Sequence, residues 1–164
     1  MVTTIRDFLP FGDIGPDLIG RVASERPGLP VEELSAVFEL GKAAVNMFEL
    51  IAQPFTEAGL SPARWRLLMT LRFQSEQTGS SISEIAGHLE IREPTVTATV
   101  DRAAKDGLVE RRKDPQDRRV TRVGLTAAGH ETIDRLFPQV AGRLLALSHA
   151  AGGSNEVRDM AARL

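Results

Sequence analysis

Residues 94–129 read PTVTATVDRAAKDGLVERRKDPQDRRVTRVGLTAAG, and the apolar spacing in this stretch changes period twice. Pro94 suits the first turn of a helix, Val96, Val100 and Ala103 recur on one side of it, and Gly107 closes it. Residues 108–112 and 119–125 then read as two short strands with Val120 and Val123 in β-branched positions. They are joined across 113–118 by a turn containing Asp114-Pro115. Thr126 is placed to cap the next helix.

Upstream, Ser81 and Glu84 form a capping-box pair before Ile82, Ile85, Ala86 and Leu89, which predicts a helix over 82–89. Only 90–93 separate it from the helix that Pro94 opens. Two short helices so joined, with Ile85, Leu89, Ile91, Val96 and Val100 as apolar anchors, make a helix-turn-helix followed by a hairpin.

Farther out the pattern is helical. A helix starting at Ser61-Pro62 carries Trp65, Leu68, Met69 and Leu71 and fades in the polar run 74–80. Before it, Leu34, Val37, Phe38, Val45, Phe48 and Ile51 give an amphipathic helix over 31–53, which Pro54 kinks or ends and after which Gly59 is a stop. The helix capped by Thr126 carries Ile133, Leu136, Phe137, Val140, Leu144 and Leu145, kinks near Pro138 and ends at Gly152-Gly153; Ser154 then caps a last short helix. Residues 1–30 hold eight Pro or Gly, too many for a long helix, so they form an extension whose apolar residues pack on the body or on a second subunit in short helical turns. The expected fold is mainly α with a small β-hairpin.

Composition narrows the function. The chain has 164 residues, 42% apolar and 26% charged, and no cysteine, which removes disulfides, thiolate metal sites and cysteine nucleophiles. No apolar stretch approaches the ~20 residues needed to span a bilayer. No secretory signal pattern opens the chain, so a cytoplasmic location is expected. The net charge of -2 conceals an uneven distribution: residues 92–122 hold nine Lys or Arg against six Asp or Glu, on an otherwise acidic body.

That basic segment coincides with the helix-turn-helix and hairpin. Burying Val96, Val100 and Ala103 leaves Thr95, Thr97, Ala98 and Arg102 facing outward, a surface suited to the major groove, with Arg92 close by. Ser81 and Ser83 begin a helix whose N-terminal amides suit a phosphate. Arg118 and Arg119 at the hairpin tip suit the minor groove. The competing reading is a protein-interaction module of the same shape without DNA binding.

PTVTATVDRAAKDGLVER at 94–111 and RKDPQDRRVTRVGLTAAG at 112–129 resemble the MarR family of bacterial winged helix-turn-helix regulators. Asp117 and Arg119 match that family's D-x-R wing motif, and Leu125, Thr126 and Gly129 its L-T-x-x-G. The resemblance implies a homodimer assembled through 31–60 and 126–164. It further implies a DNA-binding domain over 61–125 and a near-palindromic operator, with repression as the expected outcome. By motif match Arg119 enters the minor groove and Asp117 holds the wing. An effector site between the dimerisation helices and the winged domain would involve Phe48, Trp65, Met69 and Arg72, against the plainer reading of Phe48, Trp65 and Met69 as core. The chain departs from the family at Ala98, at Ala103-Ala104 and in its long extension, so operator preference does not transfer.

Catalysis has little support. No HExxH, Walker A or GxGxxG sequence occurs, and Glu32-Glu33 and Asp114 with Asp117 look exposed. His130 and Asp134 share a helix face, with His88 or His149 as conceivable co-ligands, but ordinary surface residues explain them. No metal or other cofactor is expected.

Overall fold

The computed structural model describes residues 15–26, 28–74 and 79–163, with side chains from residue 20 onward except that of Gln74. The first fourteen residues of the extension lie outside it. The described elements run α1 (Gly15–Glu25), α2 (Val31–Glu57), α3 (Pro62–Gln74), β1 (Ser80–Ser81), α4 (Ile82–Leu89), α5 (Glu93–Lys105), β2 (Val109–Lys113), β3 (Thr121–Leu125), α6 (Ala127–Ala150) and α7 (Ser154–Arg163). The chain divides into two units, Met1–Ile51 and Ala52–Leu164.

The first unit holds α1 and most of α2. In place of short turns, 15–25 form three turns of helix, because Gly15 and Pro16 fall at its start and only Gly20 lies inside. On α2 the residues Leu34, Val37, Leu40, Met47, Phe48 and Leu50 are exposed, apolar side chains that nothing among the described residues covers.

The second unit contains the winged domain. Pro54 does not end α2, which runs on to Glu57. The stop lies at Gly59, whose φ of 77° turns the chain so that Leu60 N–H reaches the Phe55 carbonyl at 2.8 Å. Beyond the turn Trp65 stacks on Phe55, ring centroids 5.3 Å apart and 10° from parallel. Leu67, Leu68 and Leu71 of α3, Ile85 of α4, Val96 and Val100 of α5 and Val123 of β3 are fully buried together with Ala103. At ~1.5–3 kcal/mol for each large side chain, this cluster is the main stabilising term of the unit.

The capping box at α4 is complete: Ser81 Oγ accepts the Glu84 N–H and Glu84 accepts the Ser81 N–H. The helix ends at Glu90 in the left-handed conformation, φ 55°, where Ile91 N–H donates to the Ala86 carbonyl at 3.1 Å and Arg66 donates to the Leu89 carbonyl. Glycine would adopt that backbone without strain. Glu90→Gly is therefore expected to raise stability by about 0.5–1 kcal/mol; an unchanged or lower urea midpoint would show that Glu90 carries no strain.

The sheet is antiparallel in the order β1-β3-β2, with Lys113 opposite Thr121 and Val109 opposite Leu125. The two-residue β1, pairing Ser80 and Ser81 with Val123 and Arg122, is too short for any periodicity and lies where the sequence reads as a fading helix. β3 starts at Thr121, two residues later than its spacing suggests, because a tight turn intervenes: side-chain carboxylates take the amides of Gln116, Asp117 and Arg119, and the Val120 N–H turns back to the Asp117 carbonyl. Thr126 caps α6 by accepting the Gly129 N–H, and α6 continues through Pro138 without ending. Among the described residues no helix is long and apolar enough to cross a membrane.

Candidate nucleic-acid interface

α5 buries Val96, Thr99, Val100 and Ala103 and exposes Thr95, Thr97, Ala98 and Arg102, as its spacing predicts. Thr99 faces inward because its hydroxyl donates back to the Thr95 carbonyl at 2.8 Å. The N-cap of α5 is Arg92, exposed and without a capping hydrogen bond from its side chain.

Internal ion pairs sort the basic residues of this region into two groups. Arg111 donates to Asp101 at 2.6 Å, Arg112 bonds Glu110, and Arg122 bonds both Asp114 and Glu84. Those partners favour the charged guanidinium of Arg112 and Arg122, raising the pKa of each. Arg92, Arg102, Lys105, Lys113, Arg118 and Arg119 are exposed and make no ion pair among the described residues, Lys113 donating only to the Thr121 hydroxyl. The charge left over for an external anion is therefore concentrated on the outer face of α5 and at the hairpin tip.

The tip is built by two aspartates. Asp114, 7% exposed, accepts the Arg122 Nε–H and the backbone N–H groups of Gln116 at 2.7 Å and Asp117 at 3.0 Å. The Arg122 bond, and after it the two amides, hold its carboxyl at a pKa of about 2. Asp117 accepts the Arg119 N–H at 2.9 Å and, through its carbonyl, the Val120 N–H. Asp117 thus bonds two amides of the hairpin tip, and Asp114 makes the larger set of bonds. From sequence Asp114 reads as a turn former and an exposed carboxylate and Arg122 as part of the basic field; the structure instead buries Asp114, because its oxygens take up Arg122 and two amides of the turn. An Asp followed two and three residues on by free N–H groups was the available signal.

At the other end Ser83 is exposed, its hydroxyl 3.1 Å from that of Ser81. Ser81 is engaged as the N-cap, and the Glu84 carboxylate occupies its N–H; this hydrogen bond is the largest cause of the lowered Glu84 pKa. Of the two serines, Ser83 is the freer for a phosphate.

The four residues named for an effector do not share one environment. Trp65 belongs to the core through its stack on Phe55, while Met69 and Arg72 are half-buried on α3. Arg72 Nη1 lies 3.3 Å from His130 Nδ1, and Nη2 lies 3.9 Å from Asp134. Phe48 is exposed on α2, in the first unit. A cation thus faces His130 where a metal would have to sit, and no group of three or more His, Cys, Asp or Glu among the described residues is placed to hold a metal ion.

Residues 60–121 match the model of the MarR family. The chain is 38% identical over 96 residues to the HTH-type transcriptional repressor IacR of Pseudomonas putida, covering 58% of this chain and 53% of that protein, so it spans about half of that relative's length. It is 30% identical over 123 residues to the uncharacterized HTH-type transcriptional regulator YhbI of Bacillus subtilis, covering 72% of this chain and 73% of that protein. Its fold is similar to that of the Mycobacterium tuberculosis transcriptional regulator MosR solved in complex with DNA, with a TM-score of 0.58 and 23% identity over 78% of this chain and 91% of that one.

Proposed function

The chain belongs to the MarR family, and from that premise we propose that it is a sequence-specific, homodimeric DNA-binding repressor acting in the cytoplasm. The observation that carries this reading is the sorting of the basic residues, which leaves the outer face of α5 and the hairpin tip with unpaired cations. In it Thr95, Thr97 and Arg102 approach base edges in the major groove, Arg92 and Ser83 the phosphates, and Arg118 and Arg119 the minor groove. Asp117 and Asp114 hold the tip. IacR is named a repressor, and MosR was solved with DNA, which supports the same reading here.

Dimerisation is supported by the uncovered apolar residues of α2 together with Phe137, Leu144 and Leu145 of α6 and Met160 of α7, faces that a second copy would bury. Two copies read a near-palindromic operator with half-sites about one turn, ~10 base pairs, apart. A small-molecule effector would act near the half-buried Met69 and Arg72 of α3.

Selection of bound duplexes from a random pool, followed by affinity against salt, tests the reading. Enrichment of a palindrome with a steep negative salt slope is expected, and Arg119→Ala should lower affinity about tenfold and reduce the slope by about one. Unchanged binding by that variant would remove the tip from the interface. Failure to enrich any duplex would leave a winged-helix interaction module.

A further inference from the structure

Arg122 lies in the most basic segment of the chain, yet its surroundings differ from those of the tip arginines. Its Nε donates to Asp114, and its Nη1 donates to the Gly79 carbonyl at 3.1 Å and to Glu84 Oε2 at 3.3 Å. Its side chain is only 27% exposed. A phosphate would have to displace two carboxylates to reach it. Arg122 is therefore already neutralised by the protein.

These bonds form part of a longer run. Glu84 Oε2 also accepts the Ser81 N–H at 2.8 Å, at the first turn of α4. Asp114, on the far side of the guanidinium, accepts the Gln116 and Asp117 amides, and Asp117 accepts the Arg119 amide. An unbroken series of charge-assisted hydrogen bonds leads from the N-terminus of α4 to the backbone of Arg119. Every link lies within the second unit.

We infer that Arg122 is a positioning residue for DNA recognition, fixing the hairpin tip relative to α4 through its bridge between Glu84 and Asp114 and touching no DNA itself. The assignment rests on the DNA-binding reading and deepens it. Binding constellations must be held to within roughly half an ångström of their productive geometry, and the bridge supplies that constraint at the root of a narrow projection. The role needs the planar fork of arginine, since a lysine ammonium keeps the charge but cannot hold two carboxylates and a carbonyl in one plane.

Arg122→Lys separates the alternatives because it preserves the charge. If Arg122 positions Arg119, the lysine variant binds the selected operator about tenfold more weakly, and combining it with Arg119→Ala costs no more than about the same tenfold, since both changes remove one contact. In the free variant the Gln116 and Asp117 amides also lose their protection from hydrogen exchange. Operator binding like that of the parent, or losses that add to about a hundredfold in the double variant, would overturn the inference while leaving the DNA reading intact. A parent protein that enriches no duplex removes the DNA reading, and the positioning role with it. Should the lysine variant not fold, Glu84→Gln keeps a capping-box side chain and takes its place. Weaker binding that does not add to Arg119→Ala then supports the bridge, and unchanged or tighter binding refutes it.

Discussion

Gly129→Ala is expected to destabilise the winged unit by about 3 kcal/mol or more, although it places alanine, the best helix former, inside a helix. Alanine in place of glycine within α6 would ordinarily gain up to about 1 kcal/mol. Here a Cβ would lie 2.2 Å from the Leu108 carbonyl oxygen and 3.2 Å from the Leu125 side chain. The carbonyl cannot retreat cheaply, because it also accepts the Thr126 N–H at 3.1 Å, while the Thr126 hydroxyl donates to the Gly107 carbonyl at 2.6 Å. The close approach joins the start of α6 to the turn between α5 and β2, so relieving the clash shifts the hairpin. Urea unfolding followed by circular dichroism measures the loss, and Gly87→Ala serves as control. A Cβ on that α4 residue meets nothing within 4 Å, so a gain of about 0.5–1 kcal/mol is expected there. A Gly129→Ala midpoint equal to that of the parent would mean that the helix start is more yielding than its packing implies.

Asp114→Ala is expected to disorder the hairpin tip without unfolding the helices. The Arg122 guanidinium and the amides of Gln116 and Asp117 lose their common acceptor. Operator affinity should fall by about tenfold or more, as for loss of the tip arginine itself. Acid should reproduce the effect in the parent. Because the folded-state pKa of Asp114 lies at about 2, below the ordinary 3.8, its contribution is fully present above the ordinary value and is lost as pH falls through the folded one. Glu84, also held low, adds to the loss in the same direction. Exchange protection of the Gln116 and Asp117 amides, corrected for intrinsic rates, should be constant at pH 5 and above and decline from about pH 4 to 2. Protection already lost at pH 5 would exclude Asp114 as its source.

The helices of the winged domain were legible because each announces itself locally. Ser81 with Glu84 starts α4, Pro94 opens α5, Thr126 caps α6, and the buried sides follow the helical period. What escaped the sequence is non-local. Arg122 looks like any other basic residue until the fold brings Glu84 to it from 38 positions away. Gly129 is part of a recognisable motif, but the reason for it, the Leu108 carbonyl, becomes visible only when α6 packs on the preceding turn. Pro54 misled in another sense: α2 does not end there but runs on to Glu57. Pro54 sits inside a long helix, where tertiary context overrides a local preference worth ~3 kcal/mol.

The stack of Trp65 on Phe55 also gives the molecule an optical signature. Trp65 is the single tryptophan, and there is no tyrosine, so emission excited near 280 nm comes from one indole at the corner between α2 and α3. At 7% exposure that indole is shielded from water, and its fluorescence should shift to the red when the corner opens. One intrinsic chromophore thus reports on the root of the winged domain, remote in sequence from the hairpin arginines. A titration that alters its colour would register a rearrangement of that corner and not contact at the tip.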